Sequence, residues 1–393
     1  MNKRRAVIVI FHATLSPRHA LMLRSLKRSG WNISAVAWDR PGHSSVPRGQ
    51  RALVDQWQWI RVPAPALGGI HLITRLPRYY YQLLKAFARM NKPDLWILCH
   101  VSLLACAPFI SGKKLYDAPE MYSIDMLFRF PIMRPILRPL LRIFEGFLVS
   151  RVDGILTVDS KGGWLERFYQ GWNQNVQVIW NVPSRHDDPD IEEVKTLASE
   201  YSGQKVVAFI GGLKLEKGLA VAIKAAAVVK AKHPDVLFLL IGSIQGGRET
   251  IRRLIHVNRV ENNIRLLNWM PYREMLAHLH HAKIGLGLHQ RVAIYPFVSA
   301  GNGRKFFTYM QAGIPIIGPN FGEVGLVVKM ADCGLLIDTK NVDEVSAVII
   351  ELLERPEKAE CMGGNGRKAF LERFNWEKEE KKFLTFVELN TTW

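Results

Sequence analysis

Two glycine-bearing turns in the second half of the chain carry residues that could do chemistry. GGLKLEKG at 211–218 follows an apolar burst at 206–210 and leads into an alanine-rich stretch at 219–232. Paired glycines let a backbone turn tightly and approach a ligand closely. A helix opening there presents unpaired N–H groups and a partial positive charge, to which Lys217 adds a full one. That combination suits a diphosphate. A second loop, GNGRK at 301–305, opens another helix with Arg304 and Lys305 in its first turn. Cations at that end oppose the helix dipole, so they cost stability unless an anion sits nearby.

Other chemistries are missing their parts. The loop after the first apolar burst, HATLSP at 12–17, holds no glycine, so it lacks the GxGxxG that brings backbone close to a dinucleotide. No GxxxxGK[ST] phosphate loop occurs either. A dehydrogenase and an ordinary nucleotide hydrolase are thereby disfavoured. Asp188-Pro-Asp190 has the form of a DxD metal motif but lies in the polar, proline-broken run RHDDPD, and reads as solvated linker. Cys99, Cys106, Cys333 and Cys361 lack CxxC spacing and read as reduced core thiols.

These residues need a frame. Short apolar bursts at 6–11, 33–38, 59–62, 95–99, 114–116, 154–158 and 176–180 alternate with helix-period stretches such as 18–29 and 73–90. The rhythm restarts with bursts at 206–210, 237–241, 264–267, 284–288, 314–317 and 334–337. β-branched runs separated by helices mean parallel strands covered on both faces. At 393 residues, two doubly wound α/β domains follow, each taking ligands at the carboxyl ends of its strands. The expected division is an acceptor-side domain over 1–185, a linker over 186–204 containing one helix at 191–201, a second domain over 205–375, and a last helix over 376–393 crossing back. The basic opening MNKRRAVIVIF imitates a signal peptide, but its apolar stretch is short and reads as the first strand.

Charge separates the halves. Residues 1–185 hold 26 Lys and Arg against 10 Asp and Glu, a net +16, whereas 186–393 carry only +2. The first half therefore faces something anionic. Within it, MLFRFPIMRPILRPLLRIFEGFL at 126–148 spaces Arg129, Arg134, Arg138 and Arg142 among large apolar residues, as in segments that lie in a headgroup layer. Pro131, Pro135 and Pro139 argue against one continuous helix. Nucleic acid is the rival anion, but no helix-turn-helix, zinc module or RNA-binding aromatic motif is visible.

IGGLKLEKG, NGRKFFTYMQAGIPII, ADCGLLID and NGRKAFLERFNWEKE together resemble the second domain of nucleotide-sugar glycosyltransferases with the GT-B fold. The match is best to the large retaining group (family four) that builds bacterial polysaccharides and glycolipids. In the first half, PRHALMLRSLKRSGWNISAVAWDR, the DxHE-like KLYDAPEMYS and the strand ending WNVPS are similar too.

The resemblance implies two Rossmann-like domains facing a central cleft and a nucleoside-diphosphate sugar as co-substrate, with no further cofactor and no metal. It assigns the donor diphosphate to Lys217, with Lys214 or Arg304 as helpers, and places Lys305 near the donor phosphate or the sugar, with Gly211, Gly212, Gly218, Thr308 and Glu323 also lining the donor. Asp117 and Glu120 would face the cleft from the acceptor side. It further implies retaining transfer, while the +16 on residues 1–185 and the arginine series from Arg129 to Arg142 lead us to expect a peripheral protein on the cytoplasmic face of the plasma membrane that glycosylates a lipid-linked, polyprenyl-diphosphate, acceptor. Three positions depart from the family pattern. Gly212 replaces an arginine, Pro119 replaces the histidine of the DxHE loop, and Thr308 replaces the glutamate that grips the ribose. A threonine cannot offer a carboxylate to two hydroxyls. The alternative is an impaired relative that binds a glycan or a partner.

Overall fold

The computed structural model describes residues 3–46, 48–64, 70–90, 92–121, 134–244, 246–290, 301 and 303–391. The chain divides into two compact units, Met1–Trp180 with Glu379–Trp393, and Asn181–Lys378. Each is built on a parallel sheet.

Unit 1 contains β1 (Arg5–Ile10), α1 (Pro17–Arg28), β2 (Asn32–Asp39), β3 (Gln56–Arg61), α2 (Ile70–Ala88), β4 (Leu95–Leu98), β5 (Lys113–Asp117), α3 (Arg134–Val149), β6 (Gly154–Thr157), α4 (Trp164–Gln170) and β7 (Val176–Val178). Its strands pair in the order β3-β2-β1-β4-β5-β6-β7. Five of the six β1 residues and all of β4 are buried, as strands covered on both faces must be. Val7, Val9, Trp38, Leu98 and Tyr79 lie together in its core.

Unit 2 contains α5 (Ile191–Thr196), β8 (Lys205–Ile210), α6 (Leu219–Lys232), β9 (Val236–Ile241), α7 (Arg248–Val257), β10 (Ile264–Leu267), α8 (Tyr272–Leu279), β11 (Ala282–Leu286), α9 (Arg304–Ala312), β12 (Ile316–Pro319), α10 (Glu323–Ala331), β13 (Gly334–Ile337), α11 (Val342–Glu354) and α12 (Pro356–Glu372). The order is β10-β9-β8-β11-β12-β13. Both sheets reverse their winding direction beside their first strand, at β1/β4 and at β8/β11. Such a switch point opens a crevice at the carboxyl ends of the strands.

The last helix, α13 (Trp376–Thr391), completes unit 1 from Glu379 onward. The Trp180 amide donates to Glu379, Asn175 bonds Asn390 at 2.6 Å, and Phe386 packs so closely on Gly154 that a Cβ there would lie 2.7 Å from its ring.

Two expectations need correcting. Residues 186–204 are part of unit 2 and not a solvated connection. Asp188 accepts from Arg367 at 2.6 Å and from Gln311 at 2.9 Å, and Tyr201 is buried with its hydroxyl 2.6 Å from His278 Nδ1. The single helix expected at 191–201 is two pieces, α5 and a 3-10 turn over Ala198–Tyr201. The two carboxylates of the DxD are thereby engaged, since Asp190 caps α5 and pairs with Arg273. The second correction concerns α3, which runs unbroken from Arg134 to Val149 despite two of the three prolines. Pro135 falls in the first turn, where no N–H is required, and Pro139 removes one internal hydrogen bond. Pro131 and Arg129 lie outside the described residues.

Candidate functional site

In unit 2, β8 runs into Gly211, with φ +111°, and the turn ends at Gly218, with φ +93°. A Cβ on Gly218 would sit 2.0 Å from the Leu288 carbonyl oxygen, so only glycine permits this approach. At Gly211 the nearest atom to an added Cβ is Lys305 Cε at 3.8 Å; there glycine serves the backbone angle. Lys305 projects from the first turn of α9, and its ammonium lies 4.5 Å from the centre of the Phe209 ring. Burial, then the charge of Lys217, lowers its pKa to about 8. Just past β11, His289 stacks on Phe306 with ring centres 5.4 Å apart, while Thr339 donates to its carbonyl oxygen. Burial, then Lys305 and Lys217, push its imidazole down to about 3, so it is neutral at physiological pH. The charges acting on Lys305 and His289 are therefore cationic, the arrangement that an entering anion would relieve.

Several expected donor residues are occupied otherwise. Arg304 donates to Asn181 Oδ1 at 3.2 Å and to the Val182 carbonyl at 3.4 Å, and its guanidinium lies 5.1 Å over Tyr272. It fastens the start of unit 2. Thr308 is 1% exposed; its hydroxyl donates to the Arg304 carbonyl at 3.0 Å and accepts from Tyr272. Both bonds of its hydroxyl are thus made within the protein. Lys214 and Gly212 are half-buried in the turn, and Glu323 is the first residue of α10, beyond β12.

In unit 1, Asp117 ends β5 and is fully buried, which corrects its expected place facing a cleft. Burial works against its ionisation, yet Arg18 and His19 hold its pKa down at about 2. Arg18 Nε bonds it at 2.9 Å and His19 Nε2 at 3.0 Å, and Arg18 Nη1 donates to the Ile179 carbonyl at 2.6 Å. This is an internal clasp from α1 across to the far side of the sheet. Glu120, three residues on, is exposed.

The carboxyl ends of β1, β2 and β4 carry residues that the sequence reading passed over. His100 stacks flat on Phe11, with ring centres 4.2 Å apart and planes 4° from parallel. The Arg40 guanidinium lies 4.6 Å over Trp38 and 5.0 Å over Phe11. Burial, then His12 and Arg40, push His100 down to about 3; burial, then Arg40 and His19, lower His12. A usable signal existed: His12, Arg40, His100 and His289 each follow an apolar burst, where a parallel strand delivers its ligand-facing residue.

On α3, Ile136, Leu140, Ile143, Phe144 and Phe147 are between 48 and 70% exposed and share one face at i, i+4, i+7, i+8 and i+11. Arg138 and Arg142 flank it half-buried, Arg142 lying 5.4 Å over Phe168, and Arg134 opens the helix. Among the described residues, no helix is long and apolar enough to cross a membrane.

Residues 190–369 match the family model of glycosyl transferases group 1. The chain is 31% identical over 174 residues to a GDP-mannose-dependent monoacylated alpha-(1-6)-phosphatidylinositol monomannoside mannosyltransferase of Corynebacterium glutamicum, covering 44% of each. It is 28% identical over 251 residues to D-inositol 3-phosphate glycosyltransferase of Segniliparus rotundus, covering 61% of this chain and 53% of that one. The chain thus spans about half the length of the curated relatives it matches. Among solved structures, sucrose-phosphate synthase from Thermosynechococcus elongatus superposes with a TM-score of 0.74 at 14% identity, over 98% of this chain and 99% of that one. Anabaena HepE in complex with UDP does so with 0.73 at 14%, over 98% and 100%.

Proposed function

We propose, for a chain of GT-B fold whose residues 190–369 match the model of glycosyl transferases group 1, sugar transfer from a nucleoside-diphosphate donor to a lipid-linked glycan, with retention at the anomeric carbon. The observation that carries this reading is the cationic pair Lys217 and Lys305 around the Gly211–Gly218 turn. As the bond from the sugar C1 to the diphosphate oxygen breaks, negative charge collects on the leaving group. Two ammonium groups and the opening N–H groups of α6 stabilise it there. The acceptor oxygen bonds C1 on the same face, and its proton passes to the departing diphosphate, so no side-chain base is needed. Metal is not required in this scheme, because lysines supply the countercharge.

The acceptor is a polyprenyl diphosphate glycan, and the protein works as a peripheral one on the cytoplasmic membrane face. The support is the +16 on residues 1–185 together with the apolar face of α3, flanked by Arg138 and Arg142. The relatives named for phosphatidylinositol mannosides favour a lipid acceptor over a free sugar.

Incubation with radiolabelled nucleotide sugars and a membrane lipid fraction tests the transfer, and product anomericity tests retention. Activity that disappears with EDTA and returns with Mn²⁺ would overturn the metal-free scheme. Flotation tests the membrane: binding is expected to vesicles with anionic lipid, weakening in high salt. The second reading, an impaired relative that binds a glycan or a partner, draws on Thr308 and Pro119, and predicts no turnover of any nucleotide sugar.

A further inference from the structure

We propose that His289 is a specificity-determining residue for the donor: its Nε2 accepts a hydrogen bond from a hydroxyl of the nucleoside-diphosphate sugar. The inference rests on the donor reading given above and adds a group to it. β11 pairs with β8 at the switch point of unit 2, so the residues just past β11 lie beside the Gly211–Gly218 turn. The contact is direct, since Gly218 packs on the carbonyl and Cβ of Leu288, the residue before His289. The backbone here is latched to the segment after β13. Buried Thr339 donates to the His289 carbonyl, and Gln290 donates back to the Thr339 carbonyl at 2.8 Å and to that of Leu288 at 3.2 Å. The ring itself lies against Phe306, the neighbour of Lys305. Main chain and ring are both held, as a group that selects a ligand by geometry must be.

The position of one proton decides what the ring can bind. His289 Nδ1 lies 3.4 Å from the Gly287 carbonyl oxygen. A carbonyl only accepts, so Nδ1 carries the proton, and in a neutral imidazole Nε2 is then an acceptor. The ring is neutral because burial, then Lys305 and Lys217, keep its pKa down at about 3. An acceptor in this place cannot serve a diphosphate, whose oxygens also accept; the two lysines do that. It suits what flanks the diphosphate of a donor, the hydroxyls of the transferred sugar on one side and of the ribose on the other. So weak a base does not remove a proton at neutral pH, and its work is to orient and to select. A site that offers a fixed acceptor to a hydroxyl discriminates against a ligand lacking one there, because the polar group is then left unpaired.

Isothermal titration of the full chain gives the test, with UDP, GDP, ADP and dTDP, and then with UDP-glucose, GDP-mannose, ADP-glucose and dTDP-glucose. His289→Phe keeps a flat ring against Phe306 and removes the acceptor. It should weaken binding of the nucleotide sugar that the unaltered chain takes by roughly fivefold to tenfold, the size of one lost hydrogen bond. His289→Gln, whose amide oxygen can stand near the place of Nε2, should recover most of the affinity, which a merely structural role would not predict. A loss confined to the nucleotide sugar assigns the hydroxyl to the transferred sugar; an equal loss for the bare nucleoside diphosphate assigns it to the ribose. A His289→Phe chain that binds as tightly as the unaltered one, or a His289→Gln chain as weak as His289→Phe, overturns the proposal. Lys217→Ala judges the donor reading separately. Binding lost there but unchanged in His289→Phe keeps the lysines and rejects the histidine, whereas an unaltered chain that binds none of these nucleotides overturns both.

Discussion

The two units share a sheet plan and place a neutral histidine at the same point in it, yet they treat charge differently. His100 in unit 1 and His289 in unit 2 each stack on a phenylalanine, each lies past a strand next to the switch point, and each is pushed to about 3 by burial and cations. In unit 2 the cations are lysines beside a glycine turn, with mobile stems that can follow charge as it moves from a breaking bond onto a leaving group. In unit 1 the cation is an arginine fixed on two aromatic rings, and the loop after β1, HATLSP at 12–17, holds no glycine. A rigid fork suits a group whose charge stays where it is. The contrast teaches that a shared fold sets where ligands come, and the side chains at strand ends set whether charge is held or developed there.

The comparison breaks most severely if Asp117 does chemistry. As the buried partner of Arg18, its loss in Asp117→Ala should cost about 3–5 kcal/mol of unit 1 stability, because a buried guanidinium is left uncompensated. Chemical denaturation followed by unit 1 tryptophans reads this; an unchanged midpoint with lost activity would make Asp117 functional. Lys217→Ala should leave stability alone and lower turnover by roughly 10²–10³, as loss of one stabiliser of developing charge does. Full turnover by the folded variant would remove the lysine pair from the mechanism.

A smaller effect follows from Lys305, whose pKa is about 8 in the empty protein. A bound diphosphate favours the ammonium and raises that value. Affinity for a nucleoside diphosphate is thus fully present below about pH 8 and is lost as pH rises from there through the raised value of the bound state. Calorimetric titration across pH 7–10 should show the fall, and Lys305→Arg should abolish it. The smallest effect is expected at Thr308, sealed under Tyr272: Thr308→Ser should change donor affinity by less than about twofold.

Much of the frame was legible because parallel strands buried on both faces write unbroken apolar runs. Each expected burst coincides or overlaps with a strand, and helix Leu219–Lys232 has the expected bounds. Two strands lie two residues from where they were read: 284–288 is Ala282–Leu286, and 314–317 is Ile316–Pro319, Ile314 belonging to the turn after α9. Long-range pairing was not legible. Nothing in RHDDPD announces that Asp188 meets Arg367, nor in KLYDAPE that Asp117 turns inward to Arg18. Charged residues read as solvated unless the partner is known, and both partners lie far away in sequence. At the candidate site, the glycine turn and its lysines could be read locally, whereas the histidines needed the strand ends to be located first.

The return of α13 to unit 1 has a consequence for how the protein is made. Unit 2 is one continuous segment, Asn181–Lys378, and can close on itself while the chain is still emerging from the ribosome. Unit 1 is written first and finished last. Its glycine at 154 waits for Phe386, and its Asn175 for Asn390. During the intervening synthesis the basic segment, with its exposed apolar helix, stands incomplete. Removing the last fifteen residues should therefore harm the earliest-made half of the protein, and a nascent chain arrested before Glu379 should hold a folded second unit behind an unfinished first one.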